Sequence, residues 1–193
     1  MKTTFKISTW LLIFTVAVLS SACLQSESEE INLTLNNDLS GKLTINFKNI
    51  SSDEGPVAGQ QREMSGFYND LSRTIQDLKE TGLKDPNIDL TNKTDLKCDA
   101  VLNADFDNIV TVMPVIADVG KSDFEATKTG DTFVLRLRAN GIATDSPKLF
   151  SIKVAGEVLE HNAQSYDPNT KTLRWTIGES GNATIYLRVK LQS

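Results

Sequence analysis

The sequence has little of what enzymes and metal sites are built from. It contains one histidine, His161, and two cysteines, Cys23 and Cys98. Zinc needs clustered His or Cys ligands, and one of each is too few. A nucleophilic triad would have to use His161, yet there is no Gly-x-Ser-x-Gly elbow and no Gly-rich loop to cradle a phosphate. Long apolar runs are also missing. The longest spans Ile7 to Leu19 and is interrupted by Ser8, Thr9 and Thr15, whereas a spanning helix needs about 20 mostly apolar residues. Cations are in deficit, with 20 Lys and Arg against 25 Asp and Glu. That excludes the basic stripe of a nucleic-acid partner and disfavours electrostatic adhesion to anionic lipid heads.

What is present is concentrated at the start. Lys2 and Lys6 precede the apolar run, and Ser20, Ser21 and Ala22 lead to Cys23. A basic start, a short apolar middle and small residues before a cut make a secretory signal. Leu19-Ser20-Ser21-Ala22-Cys23 resembles the lipobox of bacterial lipoproteins, in which the leader is cut before a cysteine that carries a diacylglycerol. Leu19 stands one place earlier than the usual lipobox leucine. Ser20 and Ala22 also suit ordinary signal peptidase. Both readings cut between Ala22 and Cys23 and differ in whether Cys23 bears lipid; without lipid the product is a soluble secreted protein. Two or three acyl chains would make attachment effectively permanent, because each buried CH₂ contributes about 0.8 kcal/mol. Leu24 is not the acidic residue that holds many lipoproteins at an inner membrane, so the expected location is the outer membrane or cell surface, with palmitate-type acylation.

Removing residues 1–22 leaves 18 basic against 25 acidic residues, a net of −7, on 171 residues. That length fits one domain with a real core. A lipidated Cys23 would have no sulfur left for a disulfide; an unmodified one could bridge Cys98 only if the two Cα atoms lay close. Cys98 itself is read as a small buried hydrophobe.

Leu24 to Glu30 is polar and acidic, which predicts a flexible tether. Ile31, Leu33 and Leu35, then Leu43, Ile45 and Phe47, alternate with polar residues across the turn-forming segment Asn37 to Gly41, the pattern of paired strands. Asn36, Asn37 and Asp38 lack the rest of a calcium loop and read as a turn. After a loop from Ser51 to Gly59, Met64, Phe67, Leu71, Ile75 and Leu78 fall at helical spacing, predicting an amphipathic helix of about five turns stopped by Gly82. Its polar face is not basic enough for a membrane-surface helix, so it should pack on the sheet. Asp85-Pro86 reads as the start of a loop. Leu96 to Phe106 alternates strictly and places Cys98 on the apolar face. Asp107 can cap a short helix, Asn108 to Val119, interrupted by Pro114, although the β-branched run Ile109 to Val112 fits a strand equally well.

The remainder reads as strands. Asp123 to Lys128 and Thr132 to Ala139 form a hairpin across Thr129-Gly130-Asp131. Phe150, Ile152 and Val154 form a strand. Leu173, Trp175 and Ile177 are expected to pair with Ala183 to Leu191 across Gly178 to Gly181. The predicted class is α+β: a largely antiparallel sheet of about seven or eight strands, with one long helix on one face, with or without a second short one. The expected organisation is residues 1–22 as signal peptide, 23–30 as lipidated cysteine and tether, and 31–193 as one domain.

Ser151-Ile-Lys-Val-Ala-Gly-Glu-Val158, His161-Asn162 and Thr172-Leu-Arg-Trp-Thr176 resemble the end of the LppM-like bacterial lipoproteins. Those chains share a Gly-containing turn after an apolar strand, an Asn shortly after, and a Trp-bearing strand. They also share a lipidated cysteine, an early hairpin with a Ser-Gly turn (here Ser40-Gly41), and a helix before the main strands. Ala155 stands where they carry proline, and no membrane-spanning tail follows Leu191. The resemblance implies an anchored envelope domain of that fold and no active site.

No residue is therefore assigned a catalytic role, and no metal or cofactor is assigned. Asp105 with Asp107 reads as sheet-edge charge or a helix cap rather than a glycosidase pair, and His161 as a loop residue rather than the centre of a hydrolase. The expected function is a non-catalytic, membrane-anchored protein that binds a lipid, glycan or protein partner. The alternative is a structural envelope lipoprotein that docks on an assembly.

Overall fold

The structure, a computed structural model, describes residues 24–116, 123–139, 148–177 and 183–192. In chain order its elements are β1 (Leu24–Gln25), β2 (Ser28–Leu35), β3 (Gly41–Ser52), α1 (Val57–Glu80), β4 (Leu83–Thr91), β5 (Lys97–Phe106), α2 (Ile109–Ile116), β6 (Phe124–Thr129), β7 (Thr132–Ala139), β8 (Lys148–Val154), β9 (Glu157–His161), β10 (Ser165–Asp167), β11 (Thr172–Ile177) and β12 (Ala183–Lys190). The class is α+β, with a largely antiparallel main sheet, one long helix and one short one. The strands divide between two sheets rather than one.

The main sheet has eight strands in the order β10-β11-β8-β2-β3-β5-β4, with β1 paired to the end of β3. Only β2 and β8 run parallel. The period-two pattern sets its register. Trp175 lies opposite Phe150, Phe150 opposite Ile31, Ile31 opposite Ile45, and Ile45 opposite Leu102. This row of buried side chains crosses five strands, and each contributes about 1.5–3 kcal/mol on leaving water. A one-residue slip would turn the whole row to the solvent face. Phe150 and Trp175 meet edge to face, with ring centroids 6.3 Å apart.

The second sheet, β6-β7-β12-β9, is antiparallel throughout. Phe133, Leu135 and Leu137 of β7 lie opposite Val189, Leu187 and Ile185 of β12. These six belong to the same buried cluster as the main-sheet row. The β6–β7 turn has Gly130 at φ +61°, the left-handed conformation a two-residue hairpin favours at its first central position.

β11 and β12 do not form the expected hairpin. β11 lies between β8 and β10 in the main sheet, whereas β12 lies between β7 and β9 in the second. Both strands alternate in the same way, so period alone does not choose their partners. The eight-residue register of β12 with β7 and the row through Trp175 do.

Helix α1 begins at Val57, behind Pro56, well before Met64. Proline suits this position because its missing N–H would have had no intrahelical partner. Its apolar stripe includes Met64, Phe67 and Leu78, as the spacing predicts. On the intervening turn Thr74 is buried rather than Ile75, its hydroxyl donating to the Asp70 carbonyl at 3.2 Å. The helix stops as expected, with Gly82 at φ +95°.

Asp85-Pro86 is not a loop but part of β4. That strand is the sheet edge, where a missing N–H is tolerated. Asp85 takes φ +45° and the register shifts between Lys84 and Asn87. α2 is capped by Asn108, whose Oδ1 accepts the Val110 N–H at 2.9 Å. Asp107 instead pairs with Lys84 at 2.7 Å. Pro114 lies inside α2 without ending it, and the helix runs to Ile116, the last described residue of that segment.

Residues 24–30 are not a tether. Leu24 and Gln25 pair with Ser52 and Ser51, and β2 begins at Ser28. Glu29 faces inward and pairs with Lys148 at 2.9 Å, the two side chains only 7% and 14% exposed. The acidic composition that marks a solvated segment is here absorbed by a buried cation on β8. Breaking such a pair leaves an uncompensated charge. Lys148→Met should therefore destabilise the domain by about 3 kcal/mol, measured by urea denaturation, whereas Lys148→Met combined with Glu29→Gln should recover much of that loss.

Candidate functional site

The assigned cleavage and lipidation residues, Ala22 and Cys23, lie outside the described residues. The described chain begins at their neighbour, Leu24, so the end of the sheet that receives Leu24 is the region of interest. Leu24 is buried. The Gln25 amide donates to Asp53 Oδ2 at 2.9 Å, and the Glu27 N–H donates to the Lys48 carbonyl at 2.9 Å. The N-terminal strand is thus continuous with the domain.

A carboxylate organises this end. β3 bulges between Phe47 and Ile50, with Asn49 at φ +51°. Asp99 Oδ1 accepts the Asn49 N–H at 2.8 Å. Asp99 Oδ2 accepts from the Asn92 amide at 2.7 Å and from Lys48 Nζ at 3.2 Å. Asn92, at φ +53°, opens the loop between β4 and β5. One side chain therefore fixes two left-handed residues on neighbouring segments. The Asn49 and Asn92 donors, followed by Lys48, hold the Asp99 carboxyl at about 2, below its ordinary 3.8.

The same end is tied to α1 and to the 92–96 loop. The Ser52 hydroxyl donates to the Glu63 carboxylate and accepts the Glu54 N–H at 3.1 Å. The Tyr68 hydroxyl donates to the Thr94 carbonyl at 2.8 Å, and Lys93 Nζ lies 4.0 Å above the Tyr68 ring. Thr94 Oγ1 accepts the Lys97 N–H at 3.0 Å and the Leu96 N–H at 3.2 Å.

Residues of the C-terminal motif come together where the sheets meet. Asn162 Oδ1 accepts the Trp175 indole N–H at 2.9 Å and the Tyr186 N–H at 2.8 Å, and its amide donates to the Thr184 carbonyl at 2.6 Å. A Cβ on Gly156 would lie 2.4 Å from the Lys190 carbonyl oxygen, so any side chain there would force β12 away. The motif is structural.

The other candidates are separated. His161 ends β9. Its Nδ1 accepts the Ala163 N–H at 3.2 Å, and its ring lies 5.1 Å from that of Tyr166. Asp105 and Asp107 face different lysines, Lys42 at 4.0 Å and Lys84 at 2.7 Å. Asp38 accepts the Ser40 N–H at 3.0 Å and the Ser40 hydroxyl at 2.6 Å, which hold its carboxyl below its ordinary value. Asn37 Oδ1 accepts the Gln192 N–H at 3.1 Å. Cys98 is buried and unbridged. Among the described residues no group of three His, Cys, Asp or Glu is placed to hold a metal, and no helix is long and apolar enough to cross a membrane.

The role of Asp99 was not legible from its residue type, but a trace of it is in the sequence. The apolar alternation Leu43, Ile45, Phe47 resumes at Ile50 instead of position 49, the slip a bulge produces. The Glu29–Lys148 pair joins residues far apart in the chain and leaves no local pattern.

Two outcomes follow from this geometry. Asp99 titrates lower in the fold than in the unfolded chain, so its stabilisation is present above about pH 4 and lost as pH falls toward 2. Asp99→Asn should lower stability at neutral pH and flatten the acid limb between those values, measured as denaturation midpoint against pH. Asn162→Ala should cost about 1–2 kcal/mol, chiefly by stranding the indole N–H of the buried Trp175. In the chain from Cys23 onward Trp175 is the only tryptophan, so a red shift of its fluorescence reports that loss.

No protein-family model and no curated protein matches the chain by sequence. Among solved structures, the folded domain of Mycobacterium tuberculosis LppM, determined by NMR, superposes with a TM-score of 0.52 over 89% of this chain and 92% of its own, at 10% identity. A structure of native yeast LTA4 hydrolase superposes with a TM-score of 0.41 over 86% of this chain and 29% of its own, also at 10% identity; at that score the likeness carries no argument. The first superposition shows a common fold: the chain has the fold of the LppM domain, as its C-terminal motif implied.

Proposed function

We propose that this protein is a lipid-anchored, non-catalytic component of a bacterial cell envelope. Residues 1–22 are removed, Cys23 carries a diacylglycerol, and the domain from Leu24 onward serves as a binding module for a lipid, glycan or protein partner. The observation that carries this reading is the leader pattern itself, a basic start, a short apolar run and small residues ending at Ala22 directly before Cys23. From Leu24, the first described residue, the chain is already paired in the main sheet. The LppM-type fold supports the same reading, because the C-terminal motif resembles lipoproteins of that kind. The separation of His161, Cys98, Asp105 and Asp107 into unrelated contacts supports binding rather than turnover. Leu24, which favours the outer membrane or cell surface over the inner membrane, also has a structural reason to be apolar, since its side chain is buried.

The test is growth of the expressing bacterium with labelled palmitate, comparing the wild type with Cys23→Ala. Label on the wild type alone is the expected result. An unlabelled wild type of the mass expected after cleavage at Ala22 would make the protein a soluble secreted one and end the anchor reading.

A further inference from the structure

We infer that the end of the main sheet built from β1, residues 53–56, the first turn of α1 and the 92–96 loop lies directly against the bilayer that holds Cys23. This rests on the lipid-anchor reading and adds an orientation to it. A free seven-residue tether from Leu24 to Glu30 would reach about 25 Å and let the domain tumble. The structure removes that freedom. Leu24 is seated opposite Ser52, and covalent geometry puts the Cα of Cys23 about 3.8 Å from that of Leu24. The acyl chains must therefore leave the protein at this end of the sheet.

The topology gathers several segments there. Residues 53–56 continue from the end of β3 beside Leu24, α1 starts directly after them, and Lys97, at the start of β5, lies opposite Ser51. Four large apolar residues are exposed among the described residues, and two of them are at this end: Val57, 58% exposed, and Leu96, 37% exposed. Val57 is the first residue of α1 and Leu96 closes the 92–96 loop. Both loops are braced, by the Ser52 and Gln25 contacts with Glu63 and Asp53 and by the Asp99 and Tyr68 contacts with the 92–96 loop. Braced loops present Val57 and Leu96 without an ordering penalty on contact. Asp53, Glu54, Glu63 and Asp95 outnumber Lys93 and Lys97 here, so charge does not draw this end to anionic lipid. The anchor and the two apolar side chains do.

The experiment uses full-length protein purified from membranes and reconstituted into phosphatidylethanolamine–phosphatidylglycerol vesicles. The mass of its N-terminal peptide is read first, followed by amide hydrogen exchange. The reference is the Cys23→Ala protein mixed with the same vesicles. The expected result is exchange slowed by about threefold or more in residues 53–60 and 92–96, with no change at the 36–40 turn on the opposite end. Val57→Asp combined with Leu96→Asp should abolish the slowing while leaving acylation intact; an acidic residue at the start of a helix is tolerated, so the fold should persist. A peptide without acyl mass overturns the anchor reading and the orientation with it. An acylated protein whose exchange is unchanged at this end, or slowed at the 36–40 turn instead, overturns the orientation alone. Slowing that survives the double substitution overturns the part assigned to Val57 and Leu96.

Discussion

The molecule turns on how two sheets share one apolar layer while their strands end at the seam. A buried indole N–H and the backbone groups beyond the last residue of β9 both need partners there. Asn162 serves both. β9 pairs with β12 as far as His161 opposite Leu187. Asn162 then continues the ladder, its own N–H donating to the Tyr186 carbonyl at 3.2 Å and its side chain reaching Thr184, Tyr186 and Trp175. Gly156 lets the β8–β9 turn approach the Lys190 carbonyl, and Asn37 catches the chain at Gln192. These contacts join strands far apart in sequence, and they account for the motif by assembly rather than by chemistry on a ligand.

The N-terminal end obeys a related constraint. Leu24 to Glu30 has the composition of a solvated spacer, yet it completes the sheet with several of its polar groups matched: Gln25 with Asp53, Glu27 through its backbone with Lys48, and Glu29 with Lys148. An anchor placed one residue before such a segment is attached to the domain, not to a leash. Whatever binds this domain would then meet it at a fixed height and tilt above the bilayer.

Periodicity makes most of the strands legible in the sequence, because a face that must be buried writes itself into every second residue. It gives β5 and β7 nearly to their ends and the middles of β2, β3 and β8, places Cys98 inward, and finds the apolar stripe of α1. It misses the start of α1, where Val57 is exposed and no stripe exists, and it misses β9 and β10, whose side chains are mostly exposed or half-buried. It cannot say which strand neighbours which: β11 and β12 carry the same pattern and belong to different sheets. Pro86 reads as a loop because proline is excluded from the middle of a sheet, but an edge strand carries no such exclusion. At the end of the sheet that holds Leu24, the Asp99 hub depends on side chains brought together by a bulge and a loop that share no local signature.

The buried thiol links this end to the environment in which the protein would work. If the Cys23 sulfur holds lipid, Cys98 is a lone thiol in an exported chain, with no intramolecular partner. The thiolate is the form that reacts with oxidants. Burial pushes the Cys98 thiol up, against the lowering effect of the neighbouring Tyr68 hydroxyl, and its surface is 1% exposed. Few molecules are then ionised and fewer are reachable. Tyr68 stands beside it and also fastens the 92–96 loop through Thr94, so an oxidant reaches the sulfur only if α1 lifts or the start of β5 opens. Packing alone would thus do for Cys98 what a disulfide does for cysteines in many exported domains, with the contacts that brace the loops at the end of the sheet that holds Leu24.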